Sequence, residues 1–180
     1  LHVSDDMGDT WKIISPDLTT NDKSKQMQSE SGGLSMDNSG AENHTTIFTI
    51  AESPIDQNVI WVGTDDGNVQ LTTDGGNSWR NLISNINGVP KNTWVYHIEP
   101  SVHNLGTAYV VFDGHTTGDM NAYTYKTEDF GLTWENIIPN NDVYGFARSI
   151  QEDYINPNLL FLGTEFGLYI SINGGDTWNK

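Results

Sequence analysis

The eight residues 72–79, Thr-Thr-Asp-Gly-Gly-Asn-Ser-Trp, decide the fold, because their pattern occurs four times in the chain. The pattern is Ser/Thr, any residue, Asp/Asn, any residue, Gly, any residue, Ser/Thr, Trp, and the other copies are residues 4–11, 127–134 and 171–178. It predicts a tight turn, since the Asp or Asn side chain accepts backbone N–H groups and Gly adopts a positive φ. The Trp then provides an apolar anchor for the returning strand. We call the four copies the boxes. The residues expected to have a structural role in them are Asp6, Gly8, Trp11, Asp74, Gly76, Trp79, Asp129, Gly131, Trp134, Asn173, Gly175 and Trp178.

Runs of β-branched and aromatic residues precede the boxes and predict strands. Residues 58–67 match residues 158–167 at an offset of 100, and residues 106–114 form a looser copy. Further short strands are predicted at 45–51, 94–99 and 146–151. Each unit then reads strand, turn, strand, turn, strand, box, strand. Four antiparallel strands in about 40–50 residues is the period of a propeller blade. The sequence therefore predicts an all-β fold, a β-propeller of four-stranded antiparallel blades.

The spacing of the units predicts a partial ring. We expect a half blade at 1–15, blades at 45–85 and 94–138, a truncated blade at 146–180 and a long polar loop at 16–44. A free-standing propeller has about 4–8 blades. We therefore expect the remaining blades to come from the same protein or from another chain, and the isolated chain not to be a self-sufficient monomer.

Composition excludes several classes of partner. The 180 residues contain 8 Lys and Arg against 24 Asp and Glu, a formal charge of −16, which argues against nucleic acid and anionic membrane surfaces. The apolar runs are too short for membrane insertion. There is no cysteine, so disulfides, thiolate metal sites and a Cys nucleophile are excluded. No histidine pair has the spacing of metal ligands, and we predict neither a metal nor a cofactor.

At the boxes, the chain resembles the Asp-box, or bacterial neuraminidase repeat, β-propellers. Residues 62–69 and 161–168 are most similar to the sortilin-type propellers of secreted bacterial glycosyl-hydrolase-like proteins. The resemblance implies an exported protein, periplasmic or extracellular. It implies the propeller portion of a glycosyl-hydrolase-like protein that binds a glycan or polysaccharide at its loop-rich face. The alternative is a non-catalytic, sortilin-like polypeptide-binding module or an assembly scaffold.

Propeller topology sorts the candidate residues between two faces. The boxes lie on one face, and the connections between second and third strands lie on the other, which we call the loop-rich face. A glycosidase needs two carboxyl groups there. The candidate catalytic residues are Asp65, Asp66, Asp113 and Glu165, and the candidate binding residues are His44, His115 and Asp119. Plain hairpin turns at 65–67 and 165–167 are the favoured explanation of those acids, and the loop at 113–121 is either functional or filler.

Two further sets of residues bear on activity. Sialidases clamp the substrate carboxylate with three arginines, whereas this chain has only Arg80 and Arg148, so sialidase activity of this chain alone is not expected. Whether the protein is an enzyme stays open. Trp61, Trp94 and Tyr96 have two interpretations, stacking on sugar rings or packing between blades.

Overall fold

The computed structural model describes residues 1–26, 44–138 and 142–180. These ranges contain thirteen strands and no α-helix. The strands are β1 (His2–Val3), β2 (Lys12–Ile13), β3 (Ile47–Glu52), β4 (Ile60–Thr64), β5 (Val69–Thr72), β6 (Arg80–Asn81), β7 (Trp94–Pro100), β8 (Ala108–Asp113), β9 (Tyr123–Thr127), β10 (Glu135–Asn136), β11 (Ala147–Glu152), β12 (Leu160–Thr164) and β13 (Gly167–Ser171). Single turns of 3₁₀ helix occupy Lys23–Lys25, Ile83–Asn85 and His115–Thr117.

The strands form four antiparallel sheets in chain order. Sheet I is β1–β2, sheet II is β3–β6, sheet III is β7–β10, and sheet IV is β11–β13. A bridge between Ile170 and Asn179 continues sheet IV past its box. Each sheet is a meander whose consecutive strands pair directly. The fold is all-β and of the propeller type, as the repeats predict.

The hydrophobic cores lie between neighbouring sheets rather than within one. Trp61 and Leu71 of sheet II pack with Val110 of sheet III, and all three side chains are buried. A second core joins sheets III and IV, and a third joins sheets I and II. Successive sheets therefore stabilise one another face to face, as propeller blades do.

Two sets of turns lie at opposite ends of the sheets. At one end, each of the last three boxes contacts the turn between the first and second strands of its sheet, as in the 3.0 Å bond from the Gly75 N–H to the Asn58 carbonyl. At the other end, Asp65 N–H donates to the Thr46 carbonyl at 3.1 Å, which joins the β4–β5 turn to the start of β3. This second end is the loop-rich face.

The boxes also join one sheet to the preceding one. At Gly76, φ is +94° and an added Cβ would lie 2.5 Å from the Ile14 carbonyl oxygen, so only glycine fits. The indole N–H of Trp79 donates to the same carbonyl at 2.8 Å, and that of Trp178 donates to the Ile137 carbonyl at 2.7 Å. The box turns thus hold the sheets together as well as reversing the chain.

The four box tryptophans are not equally buried. Trp178 is buried, whereas Trp79, which we expected to be buried, is only partly so, and so is Trp134. Trp134 donates to Gly131 of its own box instead of to the preceding sheet. Trp11 departs from the expected anchor role, since 64% of its surface is exposed. Sheet I has no preceding sheet among the described residues against which this indole could pack.

The polar segment at 16–44 falls partly outside the described residues, which omit 27–43. Its described part contains only the 3₁₀ turn at Lys23–Lys25. Across the described ranges, none of the helical turns has the length and hydropathy needed to cross a membrane.

Candidate functional site

A β-bulge recurs at the same place in the first strand of three sheets. The register slips by one residue between Ile47 and Thr49 in β3, between Val95 and His97 in β7, and between Ala147 and Ser149 in β11. The extra residues are Phe48, Tyr96 and Arg148. Because a bulge re-aims the side chain of its extra residue, bulges are common beside functional sites. We call these three residues the bulge row.

The members of the bulge row touch one another across the sheets. The ring centroids of Phe48 and Tyr96 are 5.1 Å apart, and the guanidinium carbon of Arg148 lies 4.9 Å from the Tyr96 centroid. Phe48 is 43% exposed, and the Arg148 side chain is 42% exposed. Trp94 extends the aromatic surface, with its ring 5.4 Å from that of Phe48. The row is therefore a continuous, solvent-accessible aromatic surface that ends in a cation.

Asp113 holds the cationic end of the row. Its side chain is fully buried, accepts the Arg148 Nε–H at 3.1 Å, and lies 2.8 Å from Nδ1 of His115. The His115 ring stacks on Phe146, with centroids 4.7 Å apart. Phe146 also lies under the Arg148 guanidinium, at 4.9 Å. The candidates Asp113 and His115 therefore belong to one cluster with Arg148 and Phe146.

Asp65 and Asp66 do not join this cluster. Both are almost completely buried. Asp65 accepts the Thr46 N–H and hydroxyl at 2.7 and 2.9 Å, and His44 Nδ1 lies 3.6 Å from it. Asp66 accepts the Thr20 N–H and hydroxyl at 2.8 and 2.6 Å, so it ties the segment after β2 to sheet II. By accepting these hydrogen bonds, Asp65 and Asp66 hold loop segments in place.

The remaining two candidates are Asp119 and Glu165. Asp119 is partly buried and accepts the Tyr123 hydroxyl at 2.7 Å. Burial, together with this hydrogen bond, raises the pKa of Tyr123. Glu165 is exposed, and its N–H donates to the Phe146 carbonyl at 3.1 Å. Glu165 is thus the one exposed acid among the four catalytic candidates.

Three of the four candidate catalytic carboxyl groups are buried. A glycosidase needs two carboxyl groups that reach the scissile bond, but Asp65, Asp66 and Asp113 have almost no exposed surface. Aromatic faces instead suit the apolar faces of sugar rings, and Arg suits planar or anionic groups. Within the described ranges, no cluster of three His, Asp or Glu side chains has the geometry to hold a metal ion.

Sequence reasoning missed Phe48, Phe146 and Arg148 as site residues. A signal was available, because the offset of 100 that aligns 58–67 with 158–167 also aligns Phe48 with Arg148. Of the three aromatics with two interpretations, Trp61 is fully buried in the core, whereas Trp94 and Tyr96 are partly exposed and lie at the row.

Comparisons with known proteins agree on the fold. No family model matches the chain. An oligoxyloglucan-reducing end-specific xyloglucanase of Emericella nidulans is 26% identical over 100 residues, which cover 52% of this chain and 11% of that enzyme. The GH74 enzyme of Niastella koreensis superposes with a TM-score of 0.64 and 14% identity, over 99% of this chain and 26% of that one. A structure described as YCF48 bound to D1 peptide superposes with a TM-score of 0.56 and 18% identity, over 74% of this chain and 38% of that one.

These likenesses define a β-propeller related in fold to glycosyl-hydrolase-like proteins. The chain spans only about a tenth of the length of the curated relative that it matches. The activity and ligands of the whole protein are therefore matters for proposal.

Proposed function

We propose that this chain is the propeller portion of an exported, glycosyl-hydrolase-like protein of the Asp-box type, and that its loop-rich face binds a glycan. The observation that carries the proposal is the bulge row, in which the exposed Phe48 and the partly exposed Tyr96 form an aromatic surface with ring centres 5.1 Å apart. Sugar rings have apolar faces that stack on such surfaces, whereas their hydroxyl groups bond to nearby polar side chains. The activity for which the similar xyloglucanase is named makes xyloglucan the first ligand to test.

The role proposed for the acids is support rather than hydrolysis. Asp113 positions Arg148 and His115 from a fully buried place, and Asp65 and Asp66 hold the backbone of neighbouring segments. We propose Glu165, which is exposed, and Asp119, which is partly buried, as polar groups at the edge of the site.

Calorimetric titration with xyloglucan oligosaccharides tests the proposal. Tyr96→Ala should weaken binding about tenfold, since stacking contacts of this size are worth about 1–1.5 kcal/mol. Tyr154→Ala is the matched control, because Tyr154 is 77% exposed in the turn at the opposite face and its loss should change nothing. Equal affinity of wild type and Tyr96→Ala, with both variants folded by circular dichroism, would contradict a glycan site at the row.

A polypeptide ligand is the second candidate, and one observation favours it. β3, β7 and β11 are edge strands of their sheets, so their outer backbone groups lack a partner strand within the described sheets, as strand addition requires. Such binding relies on main-chain hydrogen bonds and should tolerate Tyr96→Ala. A ligand that is a peptide rather than a sugar, with affinity insensitive to Tyr96, would favour this candidate over the glycan.

A further inference from the structure

Arg148 is the only cation of the bulge row, and its surroundings hold it in one orientation. The buried Asp113 carboxylate accepts its Nε–H at 3.1 Å. Its guanidinium lies 4.9 Å from the ring centres of both Tyr96 and Phe146. A guanidinium fixed on aromatic rings loses little conformational entropy on binding, so the interaction with a ligand is not offset by ordering the side chain.

The free end of the guanidinium is the part that a ligand can reach. Nη2 lies 3.3–3.4 Å from the two ring nitrogens of His115. Among the residues that the structure describes, no hydrogen bond to Nη1 is present, and 42% of the side chain is exposed. Nη1 and Nη2 together form the fork that binds a carboxylate through two parallel hydrogen bonds. Asp113 occupies the other edge of the same guanidinium, at Nε.

The charge of the whole chain restricts which anions suit this fork. A net charge of −16 repels a polyanion at long range. A single carboxylate on an otherwise neutral chain avoids most of that repulsion and still gains the directed bonds to Arg148. The neutral rings of the same chain can lie on Tyr96 and Phe48, next to the cation.

We infer that Arg148 recognises an isolated uronic acid residue in a mostly neutral glycan. This inference rests on the proposed glycan-binding function. The ligand class is a neutral polysaccharide backbone with sparse carboxylate-bearing sugars. The uronate carboxylate binds end-on to Nη1 and Nη2, while neighbouring sugar rings lie on the aromatic part of the row. Arg148 is a specificity residue, and Asp113 is its positioning residue.

A pair of oligosaccharides that differ only in one acid tests the inference. The probes are a xylo-oligosaccharide with one glucuronic acid side group and the same backbone without it, each titrated calorimetrically into the full 180-residue chain. Wild type should bind the acidic probe about tenfold more tightly, which is the scale of one bidentate charged pair. Arg148→Gln should abolish this preference, so that the acidic and neutral probes bind with equal affinity. Arg148→Lys should retain only part of it, because lysine lacks the fork.

The controls separate this inference from the function on which it rests. Arg80→Gln removes the other arginine, which is exposed on β6 away from the row, and should keep the full preference. Equal affinity of wild type for both probes would overturn the inference that Arg148 recognises the uronic acid. An equal loss of affinity for both probes in a folded Arg148→Gln variant would overturn it as well. Neither result would contradict a glycan site. No binding of either probe or of the xyloglucan oligosaccharides, or binding only of a peptide with a free carboxyl terminus, would overturn both.

Discussion

At the scale of single residues, the boxes show how an acid can be structural at an exposed position. In the box at 72–79, one carboxylate oxygen of Asp74 accepts the Ser78 N–H at 2.9 Å and the other accepts the Ser78 hydroxyl at 2.6 Å. Asn173 makes the same backbone contact, at 3.0 Å to the Thr177 N–H. Its second bond runs in reverse, since the amide donates to the Thr177 hydroxyl at 3.0 Å. The turn thus needs an acceptor oxygen and tolerates the loss of the charge.

Acid should weaken the fold through these turns. Hydrogen bonds from Ser78 lower the pKa of Asp74 to about 2, and bonds from Thr10 do the same for Asp6. A pKa that is lower in the folded chain than in the unfolded one, near 3.9, gives stability that is full above pH 4 and is lost as the pH falls towards 2. Thermal unfolding from pH 5 to pH 2 should show this loss, and Asp74→Asn should lose less than wild type over that interval. Identical profiles for the two proteins would be evidence against the contribution of Asp74.

Replacing Asn173 by Asp should stabilise the last box. A carboxylate accepts both the N–H and the hydroxyl of Thr177 in charge-assisted bonds, as Asp129 does from Thr133 at 2.9 and 2.7 Å. The melting temperature of Asn173→Asp should therefore exceed that of wild type at pH 7, and the gain should vanish near pH 2. A lower melting temperature at pH 7 would show that local repulsion within this acidic chain outweighs the turn contacts.

At the scale of elements, a buried acid fastens sheet III to sheet IV. Glu152 at the end of β11 is 3% exposed. It accepts the Ser101 hydroxyl at 2.6 Å, the Val102 N–H at 3.0 Å and the Tyr109 hydroxyl at 3.0 Å. Burial and the charge of Glu152 raise the pKa of Tyr109, so this hydroxyl stays a donor. The three bonds connect β11 to the turn and second strand of the preceding sheet.

Removing the Glu152 carboxylate should destabilise the contact between sheets III and IV. Glu152→Ala leaves three buried or half-buried donors without their acceptor, and we expect a loss of about 3 kcal/mol in the free energy of unfolding. Glu52→Ala is the matched control, since Glu52 ends β3 opposite Ile60 as Glu152 ends β11 opposite Leu160, but is exposed. Its loss should cost less than about 0.5 kcal/mol. Urea unfolding of the two variants measures the difference, and comparable losses would refute the assignment.

The strands were predictable at this scale, and the bulges were not. Residues 94–99 and 146–151 are close to the observed β7 and β11, because β-branched and aromatic composition marks a strand whatever its partner. A bulge depends instead on a one-residue mismatch with the partner strand, which no local composition reveals. In the sequence, Arg148 is only one of two arginines that lie far apart. In the folded chain, its side chain lies beside those of Tyr96 and Phe146. The buried state of Asp65 and Asp66 was hidden for a related reason, since their partners Thr46 and Thr20 lie far away in sequence.

At the scale of the whole molecule, equivalent positions in different sheets differ in how they are covered. Val69 pairs with Gly63 in sheet II and is fully buried, because sheet III packs on that face. Leu168 pairs with Gly163 in sheet IV in the same way and is 52% exposed. Phe166 is also exposed there, at 57%, whereas the equivalent Asp66 of sheet II is buried. Sheet IV thus presents to solvent the type of face that the other sheets bury.

This open face should make the isolated chain associate. Contiguous exposed apolar side chains favour contact with another apolar surface, and an open sheet edge adds to that tendency. Light scattering should give a mass above 20.0 kDa that rises with protein concentration. Leu168→Thr combined with Ile172→Thr should lower the association. A concentration-independent monomer with a cooperative melt would refute the expectation.

The repeated bulge places the residues proposed to contact the ligand at positions that strand pairing does not constrain. The extra residue of a bulge has no partner directly opposite it in the ladder, so its identity is not dictated by cross-strand packing. Three backbones of the same design already carry a phenyl ring, a phenol and a guanidinium at that place. Positions 48, 96 and 148 are therefore equivalent bulge positions that accept side chains of different chemistry. A library that varies only positions 48 and 96 would sample new ligands while the buried contact of Asp113 with Arg148 between sheets III and IV is kept.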